Sequence, residues 1–290
     1  MSLQLNKIHN YDVLEGLKKI ESESVDCIVT SPPYWALRDY GVKGQLGLEQ
    51  DPQEYINKIC EIMAECKRVI KPTGTIWLNL GDSYYSKTGN EKNNNFIKNH
   101  QLPKNIRGKF KSNWLQHKQR LLIPFRIAIK CQDELGLILR NDITWIKQWC
   151  NFKDKSSGGS SLPCSVQDRL NTNSEQIFFF VKNDKYFFNL DSLRVPYNYK
   201  NGSNPKGKNP GDCIIFPLEP SKENHSAKFP STLPKFCIKA GCPENGLVLD
   251  PFMGSGTTAI VAKKLNRNFI GFEINKDYIK IALRRLKNGN

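Results

Sequence analysis

Residues 52–70, PQEYINKICEIMAECKRVI, set apolar side chains at Tyr55, Ile56, Ile59, Ile62, Met63, Cys66 and Val69, and TIWLNLG (75–81) follows as an almost unbroken apolar run. The first spacing is a helical stripe with one buried face, and the second is a strand covered on both faces. KPTG between them reads as the helix stop. The same pairing of signals recurs along the chain. Strands are predicted at Leu3–His9, Val25–Thr30, Leu137–Ile146, Gln176–Val181, Leu247–Asp250 and Asn268–Glu273. Helices are predicted at Val13–Ile20, Ile123–Leu135 (stopped by Gly136), Pro234–Ala240, Thr257–Leu265 and Lys276–Lys287. Strands alternating with helices predict an α/β fold with a mostly parallel sheet and helices on both faces. No internal repeat is evident.

Three stretches interrupt the pattern. Residues 84–121 carry Lys87, Lys92, Lys98, Lys104, Arg107, Lys109, Lys111, Lys118 and Arg120 against the single acid Glu91. Residues 151–168 are loop-like and rich in Ser and Gly, and 196–227 are rich in Pro, Gly, Asn and Lys. Insertions of this length in a compact α/β fold are functional loops or disorder. The basic one reads as a DNA-contacting loop, with a passive solvated insertion as the alternative. The formal charge of +15 points the same way, because clustered cations are the footprint of polyanion binding.

Nine scattered cysteines without a CxxC pair, and four dispersed histidines, argue against a disulfide framework and a metal cluster. No apolar run is long enough to span a membrane, and the N-terminus carries no leader pattern. The expectation is a soluble, cytoplasmic protein folded as a single domain over 1–290.

Two short motifs carry the chemistry. Val25–Thr30 ends abruptly in Ser31-Pro32-Pro33-Tyr34-Trp35. Two prolines cannot continue a ladder or start an ordinary helix, so the strand ends in a stiff turn bearing a hydroxyl and two large aromatics. Near the other end, VLDPFMGSGTTAIVAKKL precedes NFIGFE. There a strand, a glycine turn and a helix succeed one another, and an acid, Glu273, closes the next strand. Gly254 and Gly256 let backbone N–H groups approach a ligand, and Glu273 can accept hydrogen bonds from ribose hydroxyls. A nucleotide P-loop is rejected, since Thr257-Thr258 follow Gly256 where Lys-Ser/Thr is needed. A dinucleotide site is a rival through Gly254-x-Gly256-x-x-Ala259, but too little chain follows for its second half. S-adenosylmethionine is the third candidate.

Taken together, Thr30-Ser-Pro-Pro-Tyr34 and Asp250-Pro-Phe-x-Gly-Ser-Gly-Thr-Thr258 resemble the amino-methyltransferases of DNA, in the motif order of their β group, where the cofactor motif comes last. Further segments share the resemblance: Ile8 to Leu17, Lys71 to Tyr84, Leu139 to Lys147, Pro163 to Arg169 with Glu175, and His225 to Leu233. Tyr11 departs from the family, which often has Gly there. The resemblance implies a Rossmann-like S-adenosylmethionine-dependent methyltransferase fold with permuted motifs and a small target-recognition insertion at 185–225. It implies cofactor contacts from Asp12, Thr30, Phe229, Pro230, Asp250, Pro251, Phe252, Gly254, Ser255, Gly256, Thr257, Thr258 and Glu273.

In such enzymes the target base leaves the duplex to reach the cofactor. Ser31, Pro32, Pro33 and Tyr34 form the expected catalytic turn. The Ser31 hydroxyl and the Pro32 carbonyl accept the hydrogens of an exocyclic amine, and Tyr34 stacks on the base, with Trp35 packed beneath. Lys104, Arg107, Lys109, Lys111 and Lys118 are expected on phosphates of double-stranded DNA. Ser at the first motif position is linked mainly to cytosine N4, with adenine N6 the alternative. Cys164, after Pro163, mimics the nucleophile of cytosine C5 methylation, but that chemistry gives Ser-Pro-Pro-Tyr no role. The expected setting is a restriction–modification system with a partner restriction endonuclease and a monomeric or homodimeric enzyme. A dehydrogenase, and a binding protein that has lost transfer, are the rivals.

Overall fold

The computed structural model describes residues 3–85, 114–159, 166–197, 204–216 and 230–288. Phe229, Cys164, Lys104, Arg107, Lys109 and Lys111 lie outside them, as do residues 198–203 and 217–225 of the 185–225 region. Strand β1 (Lys7–His9) leads to helix α1 (Val13–Lys18), and β2 (Val25–Thr30) to α2 (Pro52–Val69) and β3 (Ile70–Leu80). There follow α3 (Ile123–Asp133), β4 (Ile138–Ile146), β5 (Gln148–Asn151), β6 (Ser156–Gly159) and β7 (Ser174–Val181). The remainder comprises β8 (Cys213–Ile215), α4 (Thr232–Gly241), β9 (Leu247–Asp250), α5 (Thr257–Lys264), β10 (Asn268–Phe272) and α6 (Lys276–Asn288).

Eight strands form one sheet in the order β1-β10-β9-β2-β3-β7-β4-β8, and β5 and β6 pair as a separate hairpin. Within the large sheet β7 is antiparallel to both neighbours, and the other pairs are parallel. The central strands are apolar at successive positions because both faces are covered. Phe178 and Phe180 of β7 pack with α1, α2 and α3, whereas Ile177, Phe179 and Val181 pack with α4 and α5. Helix α2 starts where Asp51 accepts from the Gln53 N–H at 2.7 Å and Pro52 fills the first turn. Its whole expected stripe, from Tyr55 to Val69, is buried.

Strands β2 and β9 have the expected bounds, and the helices agree to within a few residues at each end. Four readings need correction. Leu3–His9 is a strand only from Lys7, because Asn6 sits at φ 59° and turns the chain. KPTG does not separate helix from strand: β3 starts at Ile70, and Lys71–Gly74 bulge while the register jumps from Val25↔Ile70 to Cys27↔Thr75. Residues 151–168 contain part of the β5–β6 hairpin, and 196–227 contain β8.

Phe178 is fully buried and stands edge-on to Phe125 at 5.7 Å between ring centres. Phe178→Ala should lower the unfolding free energy by about 3–5 kcal/mol in urea titrations. A loss below about 1 kcal/mol would show that this face is not close-packed.

Candidate active site

The connection from β2 runs to β3 on one side, and that from β9 runs to β10 on the other. The crevice beyond their carboxyl ends is therefore a topological switch point, where open α/β sheets bind ligands. Thr30 closes β2 and Asp250 closes β9, and Thr30 Oγ1 donates to Asp250 Oδ1 at 2.9 Å. Asp250 also accepts from Thr258 Oγ1 at 2.6 Å and from the Phe252 N–H at 3.0 Å. Burial pushes the Asp250 carboxyl up to about 6, against the pull of these three donors. Thr30, Asp250 and Thr258 are all buried, and their polar side-chain atoms engage one another. Their hydrogen bonds brace the glycine turn from beneath.

Gly254 and Gly256 take φ +53° and +84°, conformations that side chains disfavour. Their surroundings differ. A Cβ on Gly256 would lie 2.8 Å from the Ala282 Cβ, so this glycine lets α5 and α6 meet. Among the described residues, a Cβ on Gly254 would find only the Phe252 carbonyl, at 3.9 Å, and otherwise open space. The Gly254 N–H donates to Glu273 Oε2 at 2.8 Å and the Asn275 N–H to Oε1 at 2.7 Å. Burial raises the Glu273 pKa and these donors oppose it. Arg285 of α6 holds the turn from outside, donating from Nη1 to the Ser255 carbonyl at 2.7 Å and Oγ at 3.0 Å, and to Thr257 Oγ1 at 3.2 Å. Pro251 and Pro230 are buried and Phe252 is half-buried. Asp12 is exposed beyond β1, where its carboxylate caps α1 by accepting the Leu14 N–H at 3.0 Å.

The Ser-Pro-Pro-Tyr turn leaves β2 beside this loop. Tyr34 donates its hydroxyl hydrogen to Glu175 Oε2 at 2.6 Å. The Asn79 amide nitrogen lies 2.7 Å from the Tyr34 hydroxyl, 3.0 Å from Glu175 Oε2 and 3.2 Å from Ser31 Oγ. Lys147 pairs with Glu175 Oε1 and sits 4.8 Å from the centre of the Trp145 ring. Burial first, then the Glu175 carboxylate, raises the Tyr34 phenol well above its usual range, so it stays a donor. A Cβ on Gly81 would lie 2.5 Å from the Tyr34 ring, so the glycine lets the half-buried ring lie against the backbone. The Pro33 carbonyl accepts from the Tyr55 hydroxyl at 2.8 Å, which pins the turn to α2. Trp35 is buried, as expected, and donates to the Glu49 carbonyl at 2.9 Å.

Arg285 was not singled out by the sequence; Asn79, Glu175 and Lys147 entered only within resembling segments. Lys118 is bonded to the exposed Asp168, so its charge is already partnered.

Three comparisons bear on this geometry. The model of a family described as DNA methylase (N6_N4_Mtase) matches residues 25–284. The Type II methyltransferase M.SmaI of Serratia marcescens is 36% identical over 292 residues, covering 98% of this chain and 92% of its own. The structure of PvuII DNA methyltransferase (cytosine-N4-specific) superposes with a TM-score of 0.69 at 20% identity, over 100% of this chain and 95% of that one. The M1.HpyAVI–SAM complex gives 0.56 at 21% identity, over 97% of this chain and 99% of that one.

Asp250 has a folded pKa above its unfolded value, so the folded state holds the extra proton between about pH 4 and 6 and stability falls as pH rises through that window. Asp250→Asn removes the dependence. The stability of the variant minus that of wild type should move in favour of the variant by on the order of 2–3 kcal/mol between pH 4 and 7. A difference that is flat with pH would reject a buried, ionising carboxyl.

Proposed function

The chain belongs to the DNA methylase family, and from that premise we propose that it transfers a methyl group from S-adenosylmethionine to the N4 amine of a cytosine flipped out of double-stranded DNA. The observation that carries this reading is the convergence, at one switch point, of the Ser31–Tyr34–Asn79–Glu175 cluster with the open space above Gly254. The cofactor fits the residues present. Gly254 leaves room where a side chain would intrude, and Glu273 keeps lone pairs for ribose hydroxyls beyond its two backbone bonds. When bound, it supplies an electrophilic sulfonium methyl group.

The protein's own part is orientation. The lone pair of an aromatic amine is delocalised into its ring. The Ser31 hydroxyl and the Pro32 carbonyl accept the two amine hydrogens out of the ring plane, favouring a pyramidal nitrogen that can attack in line. The Pro33 carbonyl is held by Tyr55, so the turn does not swivel. Glu175, fixed by Lys147, tethers the Tyr34 hydroxyl, and the ring face away from Gly81 receives the base. Proton loss follows transfer, and no strong general base is required.

Ser31 both donates and accepts, unlike an ionised Asp, which favours cytosine N4; PvuII methyltransferase is described as cytosine-N4-specific. Adenine N6 is the competing target. M.SmaI is named a Type II methyltransferase, which supports a restriction–modification role with a partner endonuclease. Residues 185–225 and the basic stretch would read and hold the site. Among the described residues no helix is long and apolar enough to cross a membrane.

Nucleoside mass spectrometry of DNA incubated with the protein and S-adenosylmethionine tests the reading. N4-methylcytosine supports it, N6-methyladenine keeps the mechanism and changes the base, and no methylated nucleoside from folded protein on diverse DNA overturns it. Tyr34→Ala and Glu175→Gln should each lower methylation by roughly 10- to 100-fold while cofactor Kd stays within about twofold. An equal loss of cofactor affinity would remove both from the base site. Gly254→Val should abolish cofactor binding, since a β-branched side chain at φ +53° strains the turn and fills its open side. Wild-type affinity in that variant would refute the loop assignment.

A further inference from the structure

The two most exposed large hydrophobic side chains among the described residues are Phe152, at 92%, and Leu170, at 89%. Both lie on segments at the carboxyl edge of β3 and β4, where Ser31 and Asp250 also sit. Phe152 occupies the tip of the β5–β6 hairpin. That hairpin leaves the sheet at Lys147, the residue bonded to Glu175. Its root is tight: a Cβ on Gly159 would lie 2.1 Å from the Lys147 carbonyl oxygen. Four residues per strand at about 3.4 Å each put the tip roughly 14 Å from the root.

The hairpin is self-supporting. Its ladder runs from Gln148↔Gly159 to Asn151↔Ser156, and the Trp149 ring covers Gly158. At the tip, Asn151 Oδ1 accepts the Lys153 N–H at 2.9 Å. Asp154 accepts from the Ser156 N–H at 3.0 Å, from Ser156 Oγ at 2.6 Å and from Asn151 Nδ2 at 3.1 Å. The one acid of the tip is thus turned into the turn. Lys153 and Lys155 are exposed and have no carboxylate partner among the described residues. A fixed turn therefore holds an exposed aromatic ring followed by two exposed cations, on a hairpin rooted at the sheet edge that also carries Ser31.

We infer that this hairpin is a DNA-opening finger. Phe152 enters the base stack next to the target nucleotide, and Lys153 and Lys155 hold the flanking phosphates. The inference rests on the DNA methyltransferase reading above. Apolar wedges of this kind unstack a base step and lower the remaining cost of extruding a nucleotide. A mispaired target is already easier to extrude, so the wedge matters less there.

The test compares wild type, Phe152→Ala and Phe152→Trp in single-turnover methylation, on the cognate duplex and on the same duplex with the target base mispaired. Fluorescence of 2-aminopurine beside the target, without cofactor, reports unstacking. Phe152→Ala should lose on the order of 10- to 100-fold on the paired duplex and come within about threefold of wild type on the mispaired one. It should also lose most of the fluorescence rise, whereas Phe152→Trp keeps both. An equal loss on the two duplexes, no loss on either, or a changed recognition sequence would overturn the finger. A wild type inactive on every duplex would defeat the methyltransferase reading itself, a result separate from any effect of Phe152.

Discussion

The hydrogen bond from Thr30 to Asp250 joins the two halves of the site across 220 positions of sequence. It is a bond between the last residues of two adjacent parallel strands, so it exists only if β2 and β9 pair in the observed register, Cys27↔Val248 and Ile28↔Leu249. Asp250 then places Phe252 through its N–H and Thr258 through its hydroxyl, which sets where the glycine turn rises and where α5 begins. A buried carboxylate is an expensive way to make this joint, since leaving water raises its pKa and only three donors offset the loss. An amide in the same place could not accept from all three donors in the same way. The charge is retained for its acceptor geometry.

The base side is built by a different rule. Ser31 follows β2, Asn79 lies near the end of β3, Glu175 near the start of β7 and Lys147 just after β4. These meet because β7 is antiparallel: Asn79 pairs with Ile177 and Leu80 with Gln176, which brings the beginning of β7 to the edge where β3 ends. A parallel strand in that place would present its far end instead. The reversed strand thus supplies the carboxylate that receives the Tyr34 hydroxyl, and the return strand β4 supplies the cation that orients it.

These rules explain what the sequence disclosed. Val25–Thr30 and Leu247–Asp250 were legible because apolar runs ending in Pro-Pro or Asp-Pro leave no freedom about where the strand stops. The stripe of α2 was legible from its period alone. Asn79 was hidden, as one polar residue inside LNL reads as strand, and its function depends on neighbours 48 and 96 positions away. Glu175 and Lys147 depend on the reversal of β7, which no periodicity encodes. The hairpin was missed because Ser and Gly carry little β propensity and its order comes from Trp149 on Gly158 and the Asp154 turn. The pairing of Lys118 with Asp168 was not legible, because charge patterning does not see a carboxylate 50 positions on.

Gly254 and Gly256 look alike in the motif and share positive φ, yet they serve different masters. Gly256 is demanded by the protein, since Ala282 of α6 fills the space a side chain would need. Gly254 meets no such demand among the described residues: a Cβ there would find only the Phe252 carbonyl, at 3.9 Å, and its N–H is engaged by Glu273. The turn therefore takes its shape from contacts within the chain: Glu273 on one side, Arg285 on Ser255 on the other, and Asp250 beneath. Damage to Ala282 or Arg285, neither of which faces the crevice through the contacts described, would reach the site through the same turn.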